Sequence, residues 1–138
     1  MMIKLFAGEK GEGKTRKLIE MANSAAETTD GNIVFIDDDM RNMHVLNRAV
    51  RLVSTSEYPL SNYREFVGFI YGILSQNSDI SEIFIDSLSS IVARLENDDL
   101  VKLKVKLERI SENYGVHFFI TLNCDPAGLP EEIKGLMA

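Results

Sequence analysis

Apolar and polar positions follow two rhythms that take turns along the chain. Short, mostly apolar runs occupy residues 3–7, 33–36, 80–85 and 116–122, each closed by glycine or polar residues. Runs of this length predict buried strands. Arg51-Leu52-Val53 reads as one more short strand, third in chain order. Between these runs apolar positions recur every three or four residues. Leu18, Ile19, Ala22, Ala25 and Ala26 share one side of a predicted helix over residues 14–28. A second helix is predicted over residues 62–76. A third runs from about 98 to 114, with Leu100, Leu103, Leu107, Ile110 and Tyr114 in register and Asn97-Asp98 as its cap. Residues 101–107 also alternate, so a strand competes there; the three-to-four spacing continues past the alternation and favours helix. Short helices are expected through Val45-Leu46 and over residues 131–137. Asp30-Gly31-Asn32 marks a turn, and Asn123-Cys124-Asp125-Pro126 breaks the last strand.

Strands alternating with helices imply βαβ units. The fold class is therefore α/β, with a mainly parallel five-stranded sheet flanked by helices. No repeat or linker interrupts the pattern, and residues 1–138 read as a single domain. In such sheets ligands bind beyond the carboxyl ends of the strands. Polar residues gather at those ends, in residues 8–15, 37–39, Asp86-Ser87 and 121–123.

Composition narrows the class without naming a function. Of the 138 residues 45% are hydrophobic and 26% charged, which excludes a disordered or collagen-like chain. The net charge of −6 gives no clear signal for nucleic acid or an anionic membrane as partner. Cys124 is the single cysteine, so neither an internal disulfide nor a multi-thiolate zinc site is available; it reads as a small apolar filler in a reduced compartment. No secretory signal is visible and no apolar run approaches the ~20 residues that span a bilayer, so a cytoplasmic location is expected. His44 and His117 have no neighbours at metal-ligand spacing, and Lys102, Lys104 and Lys106 read as a solvated helix face.

One motif carries specific chemistry. Gly8-Glu9-Lys10-Gly11-Glu12-Gly13-Lys14-Thr15 fits G-x-x-x-x-G-K-[ST], the phosphate-binding P-loop, with a predicted strand before it and a helix after it. Glycines let backbone N–H groups converge on phosphate, and the helix that opens with Lys14, Thr15 and Arg16 turns its positive end toward the same group. Lys14 is expected on the β/γ-phosphates and the Thr15 hydroxyl on Mg²⁺. With glycine near ~7% of residues, a chance match to four such positions is on the order of 1%. Glu9 and Glu12 fall at variable positions, where their side chains can turn to solvent.

Three weaker elements accompany it. Glu82-Ile83-Phe84-Ile85-Asp86 has the form of a Walker B strand, whose carboxylate holds the Mg²⁺ hydration shell. Asp37-Asp38-Asp39 ends the second strand; like charges make such a triplet costly to bury, and one member is placed to act as a general base. Thr121 and Asn123 end the last strand, where a polar side chain can sense a terminal phosphate. Phe66, Val67, Phe69, Ile70, Tyr71, Ile73 and Leu74 leave little polar face on their helix. Such a helix is buried on more than one side or forms an interface, with Gly68 and Gly72 permitting close approach.

Taken in order, these segments resemble a minimal RecA-type ATPase core. Asn32-Ile33-Val34-Phe35-Ile36-Asp37-Asp38-Asp39 is similar to the family strand ending in Phe-Ile-Asp-x-Glu, and Asp39 matches the glutamate that activates the attacking water. Residues 82–91 resemble the Walker B strand and its serine-rich sequel, and residues 118–123 the sensor strand. The resemblance covers most of residues 1–125. It implies ATP and Mg²⁺ as ligands and catalytic roles for Lys14, Asp39 and Asn123. It also implies nucleotide contacts from Gly8 through Arg16, metal contacts from Thr15 and Asp86, and the strand order 1-5-4-2-3. That order leaves the first strand at an edge, which residues 126–138 or another subunit must cover. Helix 64–76 and the sheet edge are the two places where a homo-oligomeric or protein partner would dock. A shorter Asp39 in place of glutamate, and no room for DNA-binding loops, set the chain apart from the family. No arginine finger is assigned; Arg41, Arg48 and Arg51 lie near the second strand. A nucleotide-binding module without hydrolysis and a small-molecule kinase are the alternative readings, the kinase requiring the Walker B strand directly beside the first.

Overall fold

The structure is a computed structural model and describes residues 2–137. Its strands are β1 (Ile3–Gly8), β2 (Asn32–Asp37), β3 (Val50–Ser54), β4 (Ile80–Ile85) and β5 (His117–Asn123). Its helices are α1 (Lys14–Thr28), α2 (Tyr63–Gln76), α3 (Leu88–Ile91), α4 (Asn97–Tyr114) and α5 (Glu131–Lys134). All pairings are parallel and the order is β1-β5-β4-β2-β3, the order that the resemblance implied.

The strands are nearly continuous in apolar residues because both faces of the sheet are covered. On one face Val34, Ile36, Ile83, Ile85, Phe118 and Ile120 pack under α2, α3, α4 and α5. On the other, Ile33, Phe35, Phe84 and Phe119 pack under Leu18, Ala22 and Ala25 of α1. The three phenylalanines form a ladder across β2, β4 and β5. Phe35 and Phe84 stack at 6.4 Å, and Phe84 and Phe119 at 4.8 Å. Side chains two residues apart share a face. Each rung of this ladder is therefore followed, one step toward the carboxyl edge, by a polar residue on the same face: Asp37, Asp86 and Thr121. The strand–helix alternation thus delivers a row of polar groups beneath the start of α1.

The first strand's edge is closed by the chain itself. Leu5 N–H donates to the Leu136 carbonyl at 2.9 Å, and Leu5 bridges Met137 in parallel. Residues 126–138 were expected to cover it, and Leu136 and Met137 do so. This contact also explains why the terminal helix ends at Lys134 and does not reach Met137: the last residues are drawn into the sheet.

Three local expectations change. No helix forms at Val45-Leu46. The segment is held in turns by Asn23, whose amide donates to the Val45 carbonyl at 2.9 Å and accepts from Asn47 N–H at 2.7 Å. Helix α3 follows β4 directly, where no helix was expected. The cap of α4 is Glu96, in a reciprocal capping box with Asp99, and not Asn97-Asp98. Residues 101–107 are helical, with Leu103 and Leu107 buried and Val105 exposed. In α2, Tyr63, Phe66, Ile70 and Leu74 are buried, so it is a core helix on that side. Tyr71, Gly68 and Gly72 are exposed on its outer face. No helix among the described residues is long and apolar enough to cross a membrane.

Candidate functional site

A cavity of about 480 Å³ opens at the carboxyl edge of the sheet, where β1 hands over to α1. Its wall is built from four segments: the glycine loop, the turn after β2, the start of α3 and the end of β5. The loop turns through Gly11 (φ +92°) and Gly13 (φ +82°), left-handed conformations that strain any residue with a Cβ. Gly13 is also the N-cap of α1. Among the described residues no side chain caps that first turn. This contrasts with α2, where the Asn62 side chain accepts from Glu65 N–H at 3.0 Å. The first-turn N–H groups of α1 are thus free of side-chain partners at the positive end of a 15-residue helix.

Lys14 folds back across the loop. Its ammonium donates to the Gly8 carbonyl at 3.0 Å and the Glu9 carbonyl at 2.7 Å. Thr15 begins a buried chain of hydrogen bonds. Its hydroxyl donates to the Asp86 carboxylate at 3.0 and 3.2 Å, though 71 positions separate the two residues. The Thr121 hydroxyl donates to Asp86 at 2.7 Å and accepts from Ser87 N–H at 2.7 Å. Asp86 is only 3% exposed and Thr121 1%. Ser87 takes a left-handed backbone (φ 59°) that turns the chain from β4 into α3.

The acidic triplet splits three ways. Asp37 is buried, accepting from Asp38 N–H at 2.7 Å and from the Asn42 amide at 3.2 Å. Burial first, then Asp38, then the charge of Asp86 push its carboxyl up to about 7. Asp38 lines the cavity. Asp39, the expected base, does not. Its carboxylate accepts from both the backbone N–H and Nε of Arg41 at 3.0 Å, a local turn that holds the side chain on the surface. That turn keeps its carboxyl below the usual range.

Of the residues singled out from sequence, Lys10, Gly11, Gly13, Lys14, Thr15, Asp86 and Asn123 line the cavity together. Gly8, Glu9, Glu12, Arg16 and Asp39 do not. Gly8 lies behind the wall, where an added Cβ would come within 2.5 Å of a Glu12 carboxylate oxygen. Glu9, Glu12 and Arg16 are exposed. Asp38, Arg41, Asn42, Ser87 and Ser90 complete the wall. A signal for the polar row was present: Phe35-x-Asp37, Phe84-x-Asp86 and Phe119-x-Thr121 repeat one two-residue spacing in three strands.

Neither a protein-family model nor a curated protein sequence matches the chain. Solved structures do. The flagellar accessory protein FlaH from Methanocaldococcus jannaschii superposes with a TM-score of 0.64 at 16% identity. The match covers 98% of this chain and 66% of that protein. The fold is RecA-like. It rests on the parallel sheet, its 1-5-4-2-3 order and that superposition.

Proposed function

We propose that this chain binds ATP with Mg²⁺ and hydrolyses it slowly, needing a partner for rapid turnover. The observation that carries the reading is the Thr15–Asp86 pair, which joins the start of α1 to the end of β4 beside uncapped first-turn N–H groups. The donor set fits the ligands. A hydroxyl and a carboxylate are the hard oxygen donors that suit Mg²⁺, and a glycine loop with free N–H groups suits phosphate. When bound, the metal would neutralise phosphate charge. The other roles fall to side chains. Lys14 leaves its loop carbonyls to meet phosphate, Thr121 holds Asp86 in position, and Asn123 stands at the cavity's sensor position.

Strand order argues against the small-molecule kinase reading, because β5 lies between β1 and β4. A second reading, nucleotide binding without hydrolysis, draws support from Asp39. The carboxylate matched to the water-activating position is tied to Arg41 outside the cavity. The outer face of α2 is where we place the partner under either reading, and the cytoplasm is where we place the protein.

Calorimetric titration of ATP with and without Mg²⁺, on the wild type and Lys14→Ala, tests the proposal. Mg²⁺-dependent binding that weakens at least tenfold on substitution supports it. Wild-type protein that binds no nucleotide overturns it. Phosphate release by the wild type separates the hydrolase from the non-hydrolysing reading.

A further inference from the structure

We infer that Arg41 distinguishes a nucleoside triphosphate from a diphosphate, and that Asp38 and Asp39 clasp it until the third phosphate arrives. The inference rests on the nucleotide-binding reading above and supplies, from within the chain, a cation the sequence alone left unassigned.

The cavity wall carries three cationic side chains, Lys10, Lys14 and Arg41. The two lysines belong to the glycine loop. Arg41 enters from the turn after β2, three strands away from β1 with β5 and β4 between. Strand order sets β4, which leads into Asp86, between the strand that enters the loop and the turn that carries Arg41, so a ligand held by the loop meets Arg41 as it extends toward that turn. Each further phosphate lengthens the ligand in this way and adds charge.

The clasp is built to open. The Arg41 guanidinium bonds Asp39 at 3.0 Å and Asp38 at 3.3 Å, with its side chain 66% exposed. Ion pairs this exposed add little to stability. A terminal phosphate carries more charge than one carboxylate and accepts two parallel N–H bonds from a guanidinium. It therefore competes for Arg41 against partners that cost little to leave. The backbone N–H of Arg41 also bonds Asp39, so the main chain stays anchored while the side chain swings.

The test compares Mg²⁺ complexes of a non-hydrolysable ATP analogue and of ADP by calorimetry, on wild type, Arg41→Ala, Arg41→Lys and Asp39→Asn. In Arg41→Ala the analogue binds on the order of tenfold more weakly or worse, while ADP affinity stays within about twofold of wild type. Arg41→Lys falls between, keeping the charge and losing the fork. Asp39→Asn keeps the oxygen that anchors Arg41 N–H but removes a competing charge, and it tightens the analogue several-fold. A loop merely damaged by substitution cannot produce effects of opposite sign. Equal losses for both nucleotides in Arg41→Ala, no loss for either, or weaker analogue binding in Asp39→Asn would overturn the inference while leaving the nucleotide site standing. A wild type that binds neither ligand overturns both.

Discussion

Asp37 makes the stability of this protein depend on pH, and Asp37→Asn isolates that dependence. In the unfolded chain the carboxyl titrates at its ordinary value of 3.8; in the folded protein it is pushed up to about 7, chiefly by burial. Between these values the folded state holds a proton that the unfolded state has released. Stability therefore falls as pH rises. The contribution is complete below 3.8 and gone once pH has passed about 7. The slope reaches at most about 1.4 kcal/mol per pH unit, which sets a ceiling on the order of 4 kcal/mol across the window. Asparagine removes the titration and preserves the shape. Its carbonyl accepts from Asp38 N–H in place of the carboxylate, and its amide faces Asn42, which can turn its own oxygen inward. Urea unfolding of both proteins at intervals from pH 4.5 to 8.5 measures the difference directly, and contributions from carboxylates that do not interact with Asp37 cancel in it. The variant should gain on the wild type steadily up to about pH 7 and then hold its lead. A difference that stays flat with pH would refute burial of an ionisable group as the cause.

Two further changes probe the site's support and the sheet edge. Thr121→Val keeps the volume but strips the hydroxyl that bonds Asp86 and Ser87 N–H at 2.7 Å each. Leaving Ser87 N–H without its partner and Asp86 with Thr15 alone should cost roughly 1–3 kcal/mol in urea unfolding, and a loss under about 0.5 kcal/mol would show that the Thr121 hydroxyl adds nothing. Removing residues 136–138 takes away the Leu136 carbonyl that pairs with Leu5 N–H and bares the edge of β1. Light scattering should then show concentration-dependent association. A truncated chain that stays monomeric with an unchanged melting temperature would refute the covering role.

Much of this protein could be read from local pattern. The five strands and the helices α1, α2 and α4 follow from apolar runs and three-to-four spacing, because both faces of the sheet are buried and each helix must turn one stripe inward. The glycine loop's shape was legible for a similar reason. Its conformation needs glycine at Gly11 and Gly13, and that need is local to a few consecutive residues. Even the closing of the β1 edge followed from topology once the strand order was expected.

What sequence could not apportion was the acidic triplet. Asp37, Asp38 and Asp39 are the same chemical group three times over; the Phe35-x-Asp37 spacing pointed to the inward member, but nothing in their order says which of the other two faces the cavity and which stays on the surface. The strand's two-residue period sends Asp37 inward beside Asp86, the turn that follows exposes Asp38 to the cavity, and Arg41 draws Asp39 aside. Local sequence determines backbone shape because sterics act between neighbours. The character of Asp37 was decided by burial and by Asp86, far away in sequence, because solvation and charge act through space and only the tertiary fold sets those distances.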